Sequence, residues 1–125
     1  MRLLLDTHVF LWAVTGAAAL KAPVRRLMEQ AEEIHVSSAS VWEIAIKARL
    51  GKIKADPVAL VDAIEESGFI ELPVRAAHAA AVAGLPLHHQ DPFDRLLVAQ
   101  ALAEPLKLLT ADDILLRYTD TVIRI

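Results

Sequence analysis

Asp6 in RLLLDTHVFLW, Glu43 in SSASVWEIAIK, Asp94 in HHQDPFDRLLVAQA and Asp112 in KLLTADDILLRY are the residues of this chain best placed to do chemistry. Each falls where a strand is expected to end or a helix to begin. Carboxylates that converge without neutralising one another call for a cation. Hard oxygen ligands with no Cys among them suit Mg²⁺ or Mn²⁺. A divalent ion held by carboxylates in a cleft points to phosphodiester hydrolysis by an activated water. Asp6, Asp94 and Asp112 are the candidate ligands, with Glu43 binding directly or through water. Glu43 is the candidate general base if it is not a ligand.

The elements that must carry these acids follow from the apolar pattern. Residues 2–5 read as a buried strand ending at Asp6, and residues 7–14 as a short helix. Pro23 sits near the start of a helix reaching about residue 33, and residues 34–37 form a second strand. Ser40 begins a helix that stops at Gly51. Pro57 opens a helix ending near Gly68, and residues 69–72 form a third strand. An alanine-rich helix spans 76–83, and Gly84-Leu85-Pro86 breaks it. Asp91-Pro92 starts a helix to about Ala103. A fourth strand at 107–109, a short helix at 111–118 and a last strand at 121–125 complete the pattern. Strands alternating with helices imply one α/β domain, residues 1–125, with a parallel sheet covered on both faces. Open sheets of that kind bind ligands at the carboxyl ends of their strands, where Asp6 and Asp112 fall.

Bulk properties narrow the class. A chain of 125 residues can bury a core of its own. Its 55% hydrophobic content is high and calls for a partner surface. A formal charge of −3 excludes a generally basic nucleic-acid binder, so any RNA contact needs a local patch. With no Cys, disulfides and thiolate metal sites are excluded, and a reducing cytoplasm suits the chain. Arg2, the apolar stretch after it and Ala17-Ala18-Ala19 imitate a secretory signal. Asp6 and His8 interrupt that stretch, and no apolar run approaches the ~18 residues of a membrane span.

Local roles compete for every acid. Asp6 could cap the helix at Thr7, and Ser40-x-x-Glu43 matches a capping box. Asp91-Pro92-Phe93-Asp94 offers an N-cap, a proline at the first helical position and an acid favoured by the helix dipole. Thr110 could cap a helix with Asp112 and Asp113 in its first turn. Caps alone, however, need not converge on one edge of one sheet.

These blocks, LLLDTHVFLW, VWEIAIKARLGKI, DPFDRLLVAQA and LLTADDILLRY, resemble in order and spacing the PIN-domain nucleases, and among them the VapC-type toxins of type II toxin–antitoxin pairs. The resemblance covers the whole chain. It implies a three-layer α/β/α sandwich with a central parallel sheet, a Mg²⁺ or Mn²⁺ site, and endoribonuclease activity restrained by a cognate VapB-type antitoxin. The family's four acids fall on Asp6, Glu43, Asp94 and Asp112. Asp91 competes with Asp94, and Asp113 with Asp112. Asp94 is preferred because Asp91 is well explained as a cap, whereas residue 94 lies one turn in. A homodimer through apolar helix faces is expected, as is an antitoxin side chain, most plausibly Arg, among the four acids.

The remaining polar residues are less telling. His8, His35, His78, His88 and His89 form no His-Glu-x-x-His spacing, which argues against zinc. His8 reads as a hydrogen-bonded neighbour of the site. Lys47, Arg49, Lys52 and Lys54, with Arg95, could guide an RNA backbone or form a solvated face, and Lys47 can pair with Glu43. Trp12 and Trp42 read as core or partner packing. Two rival functions remain: an aspartyl-phosphate protein using Asp6, and a non-catalytic binding module. A haloacid-dehalogenase-like phosphatase would need an acid where His8 stands, and the acidic pair and Lys of a receiver domain are not evident.

Overall fold

The computed structural model describes residues 1–125 and has five parallel strands at its centre. These are β1 (Arg2–Leu5), β2 (Glu33–Ser37), β3 (Ile70–Leu72), β4 (Lys107–Thr110) and β5 (Val122–Arg124), in the order β3-β2-β1-β4-β5. Six helices surround them: α1 (Thr7–Thr15), α2 (Ala22–Gln30), α3 (Ser38–Arg49), α4 (Pro57–Glu66), α5 (Ala76–Ala81) and α6 (Pro92–Ala103). Short 3-10 turns occupy Val82–Gly84 and Asp113–Arg117.

The apolar strands are buried on both sides because successive side chains point to opposite faces. Leu3 and Leu5 join Val36 and Leu109 beneath Val9 and Phe10 of α1, Ile44 of α3, and Leu60 and Ile64 of α4. Leu4 joins Leu72, Leu108 and Val122 beneath Leu97, Val98 and Ala101 of α6. The result is the expected α/β/α sandwich.

The strand order positions the acids. The chain leaves β1 toward β2 on one side, and leaves β4 toward β5 on the other. β1 and β4 are neighbours, so their carboxyl ends open a crevice at the point where the order reverses. The amide of Asp6 donates to the Leu109 carbonyl at 3.0 Å, which extends the ladder by one residue and sets Asp6 beside Thr110.

Three of the boundaries that differ from the sequence reading bear on the site. α3 begins at Ser38, not Ser40, because the last residue of β2 doubles as its cap: Ser37 Oγ accepts from Ala39 N at 3.1 Å. Ser40 and Glu43 therefore form no capping box, and Glu43 lies in the second turn. α2 stops at Gln30, since Glu33 already belongs to β2 and its carboxylate accepts from Arg2 Nε on β1 at 2.9 Å. The helix expected over 111–118 is only the 3-10 turn, with Asp112 outside it as the cap. Gly51 ends α3 with φ of 74°, a left-handed conformation that suits glycine. No helix is long and apolar enough to cross a membrane.

Candidate metal centre

Asp6 is buried at the head of α1, where its two oxygens have separate duties. Oδ1 accepts the amide of Val9 at 2.8 Å and caps the helix, while Oδ2 accepts the hydroxyl of Thr110. Cap and site residue are thus compatible roles. Burial raises the Asp6 carboxyl above its ordinary value, and the Thr110 and Val9 hydrogen bonds pull against that rise. Thr110 also accepts the amide of Asp112 at 3.0 Å, so one buried hydroxyl ties the end of β1 to the turn after β4.

Glu43 is buried on α3 and enters the same neighbourhood through Thr7. The Thr7 hydroxyl donates to Glu43 Oε1 at 2.7 Å and lies 3.1 Å from Ser40 Oγ. A hydroxyl has one hydrogen, so Ser40 must be the donor to Thr7. Lys47 Nζ donates to Glu43 Oε2 at 2.6 Å, the pairing expected one turn along a helix. That contact raises the Lys47 ammonium's pKa, with Asp91 and Asp94 adding to the effect.

Asp94 sits in the first turn of α6, mostly buried. Its carboxyl is pushed up to about 7, first by burial and then by the like charges of Asp91, Asp6 and Glu43. Asp91 caps α6 by accepting Phe93 N at 2.8 Å and Asp94 N at 3.3 Å. Asp112 caps the 3-10 turn through Oδ1, which accepts Ile114 N at 3.0 Å. Asp113 is exposed and paired with Arg124 Nε at 2.6 Å, away from the other acids' hydrogen-bond network.

One group at this edge was not singled out from the sequence. His89 Nε2 lies 2.9 Å from Asp112 Oδ2 and 3.1 Å from Asp94 Oδ2. One potential ligand atom each from His89, Asp94 and Asp112 falls within 4.8 Å of the others. No spacing rule announces this histidine, because its loop and the turn carrying Asp112 meet only through the sheet. His8 differs from expectation in a smaller way: it is exposed, and its ring lies 6.1 Å from that of Trp12. Asp6, His8, Trp12, Ala111 and Asp112 line an open cleft of about 340 Å³.

One reading of a flanking residue is corrected and another is narrowed. Arg95 does not face the cleft as a guide for RNA. Its guanidinium donates to the carbonyls of Pro86 and Val82 and to Tyr118 Oη, holding the loop before α6. Of the two roles read for Trp42, core or partner packing, its 62% exposure removes the core and leaves the partner; its ring meets Phe93 edge-on with ring centres 5.2 Å apart.

The donor chemistry fits a hard divalent cation. Carboxylates from β1, α3, α6 and the turn after β4 are close enough for three of them to shift one another's protonation or that of Lys47. Asp6, Asp94 and Asp112 keep lone pairs beyond their internal hydrogen bonds. No thiolate is available, which disfavours softer metals.

Solved structures share this architecture. VapBC2 from Rickettsia felis bound to a DNA fragment from their promoter aligns with TM-score 0.72 at 19% identity, over 100% of this chain and 98% of that one. FitAcB from Neisseria gonorrhoeae aligns at 0.63 and 18%, over 98% and 96%. PAE2754 from Pyrobaculum aerophilum aligns at 0.60 and 21%, over 99% and 92%. At such identities the likeness is one of fold. No curated protein matches the chain by sequence. The PIN domain family model matches residues 3–120, from β1 through the turn that holds Asp112, so the chain belongs to the PIN-domain family.

Proposed function

We propose that this PIN domain is a Mg²⁺- or Mn²⁺-dependent endoribonuclease and the toxin of a toxin–antitoxin pair. The observation that carries the reading is the gathering of Asp6, Glu43 and Asp94 at one sheet edge, where burial first, and then the like charges of Asp91, Asp6 and Glu43, push Asp94 up to about 7. Family membership and the fold shared with VapBC2 and FitAcB support it.

Asp6, Asp94 and Asp112 would hold the ion, with Glu43 beside it. When bound, the ion supplies charge neutralisation at the phosphodiester and makes water acidic enough for in-line attack near neutral pH. The protein's part is orientation. Thr110 and the Val9 amide fix the plane of the Asp6 carboxylate. Thr7 and Lys47 hold both oxygens of Glu43, so it serves through its fixed charge rather than as a freely swinging base. Trp12 and His8 wall the open side of the cleft, where a nucleotide can stack. Arg49 at the end of α3 and Lys52 and Lys54 after it are exposed and supply the local positive charge an RNA backbone needs.

A VapB-type antitoxin would place a basic side chain among the acids, excluding the ion. Lys47 supplies an internal precedent, since its ammonium already compensates Glu43. A homodimer of this chain completes the proposed assembly. The decisive test is RNA cleavage by purified protein with Mg²⁺ or Mn²⁺ and with chelator. Asp6→Asn and Asp94→Asn are each expected to lower the rate by about 10²-fold or more, the scale of losing one electrostatic element of a site. Near-native cleavage by a folded Asp6→Asn protein would overturn the reading.

A further inference from the structure

We propose that His89 is a positioning residue that aims Asp112 by donating an Nε2–H hydrogen bond, with Asp94 in contact with the same ring nitrogen, and that it is not itself a ligand of the ion. The proposal rests on the metal-centre reading above and adds a residue and a tautomer to it.

The backbone decides the tautomer. Asp91 N–H points at His89 Nδ1 at 3.1 Å, and a backbone amide can only donate. Nδ1 must therefore present its lone pair. The proton of the neutral ring is then on Nε2, the nitrogen that faces Asp112 Oδ2 at 2.9 Å and Asp94 Oδ2 at 3.1 Å. The ring cannot swing away easily, because the His89 amide donates to Tyr118 Oη at 2.9 Å and the side chain is only 18% exposed.

That arrangement separates proximity from ligation. Coordination through Nε2 would remove its proton while Nδ1 still held a lone pair. The product would be an imidazolate, a form too basic to persist near neutral pH, and the alternative, moving the proton to Nδ1, would set that N–H against the Asp91 N–H that now donates there. As a donor, by contrast, the ring completes the setting of Asp112. Ile114 N already occupies one lone pair of Oδ1, and His89 occupies one of Oδ2, so the remaining lone pairs have fixed directions. Asp94 and Asp112 belong to α6 and to the turn after β4, and His89 touches both. Hydrogen-bonded partners of this kind orient ligands, and losing one weakens metal affinity by about 10–100-fold. The ion then sees oxygen alone, which suits Mg²⁺ and Mn²⁺.

Two measurements on the full chain test this. Long-range proton–nitrogen NMR of the imidazole, metal-free and with Mg²⁺, is expected to show the Nε2–H tautomer in both states. Calorimetry with Mn²⁺ is expected to show His89→Ala weakened by about tenfold or more, and His89→Gln largely restored, because its amide nitrogen can replace the Nε2–H donor. An Nδ1–H tautomer, loss of the Nε2 proton on Mg²⁺ binding, or unchanged Mn²⁺ affinity in His89→Ala overturns the proposal. Should His89→Ala fail to fold, a His89→Gln protein that folds but binds Mn²⁺ no better than tenfold below wild type overturns it as well. Absence of Mn²⁺ binding by the wild type is a different failure. It removes the metal-centre reading, and the role of His89 falls with it.

Discussion

Asp94 holds its proton far above the ordinary carboxylate range, and that has a consequence for the metal-free protein. Its carboxyl moves from 3.8 to about 7 on folding, so between those values the folded chain keeps a proton that the unfolded chain has released. Stability from this group is therefore present below about pH 4 and is lost as pH rises through 7, a change on the order of a few kcal/mol. The raised carboxyl of Asp6 acts in the same direction. In chelator, the melting temperature should fall from pH 4 to 7, and Asp94→Asn should flatten most of that slope and be the more stable protein at pH 7. A wild-type melting curve that does not vary over this range would show that folding does not raise the Asp94 carboxyl. At this scale the sequence was legible where chemistry follows residue type: Asp6, Glu43, Asp94 and Asp112 all lie at the switch-point edge. His89 was not legible. Its importance depends on which ring nitrogen meets the Asp91 amide, and nothing in the letters His-His-Gln-Asp states that.

Helix starts set where each acid points. The Asp91-Pro92 pair was readable because a capping acid and a proline at the first helical position are local signals, and α6 begins there. The start of α3 was not, because β2 runs into it without a loop and Ser37 serves as both strand residue and cap. Competing serines at 37, 38 and 40 make that boundary ambiguous until the sheet register is known. The division between Asp91 and Asp94 can be tested through capping itself. Asp91→Ala should cost about 1 kcal/mol, a fall of roughly 3–6 °C in melting temperature, since Phe93 N and Asp94 N lose their acceptor. Asp91→Asn keeps that acceptor and should retain both stability and RNA cleavage within a few-fold, in contrast to Asp94→Asn. Loss of cleavage in a stable Asp91→Asn protein would move the third acid of the site from Asp94 to Asp91.

Across the molecule, eleven large apolar side chains remain exposed, and their placement separates two surfaces. Trp42 and Ile46 stand on α3, the helix that carries Glu43 and Lys47, and Trp42 meets Phe93 next to Asp94, so an antitoxin that reaches the acids is the proposed cover for them. Val58 and Val61 stand on α4, 75% and 47% exposed, while Leu60 and Ile64 of the same helix fill the core. Spaced three apart, the two valines share a face, and β-branched residues gain nothing in helix propensity from being there. A second copy of the chain is the proposed cover. Light scattering should give a mass near twice 13.7 kDa. Paired Val58→Glu and Val61→Glu substitutions should shift the protein toward monomer without altering Mn²⁺ affinity, because α4 carries none of the four acids. Trp42→Ala should leave the dimer intact and weaken antitoxin binding instead. A wild-type protein that stays monomeric at high concentration would overturn the dimer, and dimer loss in Trp42→Ala would place the self-interface over the cleft.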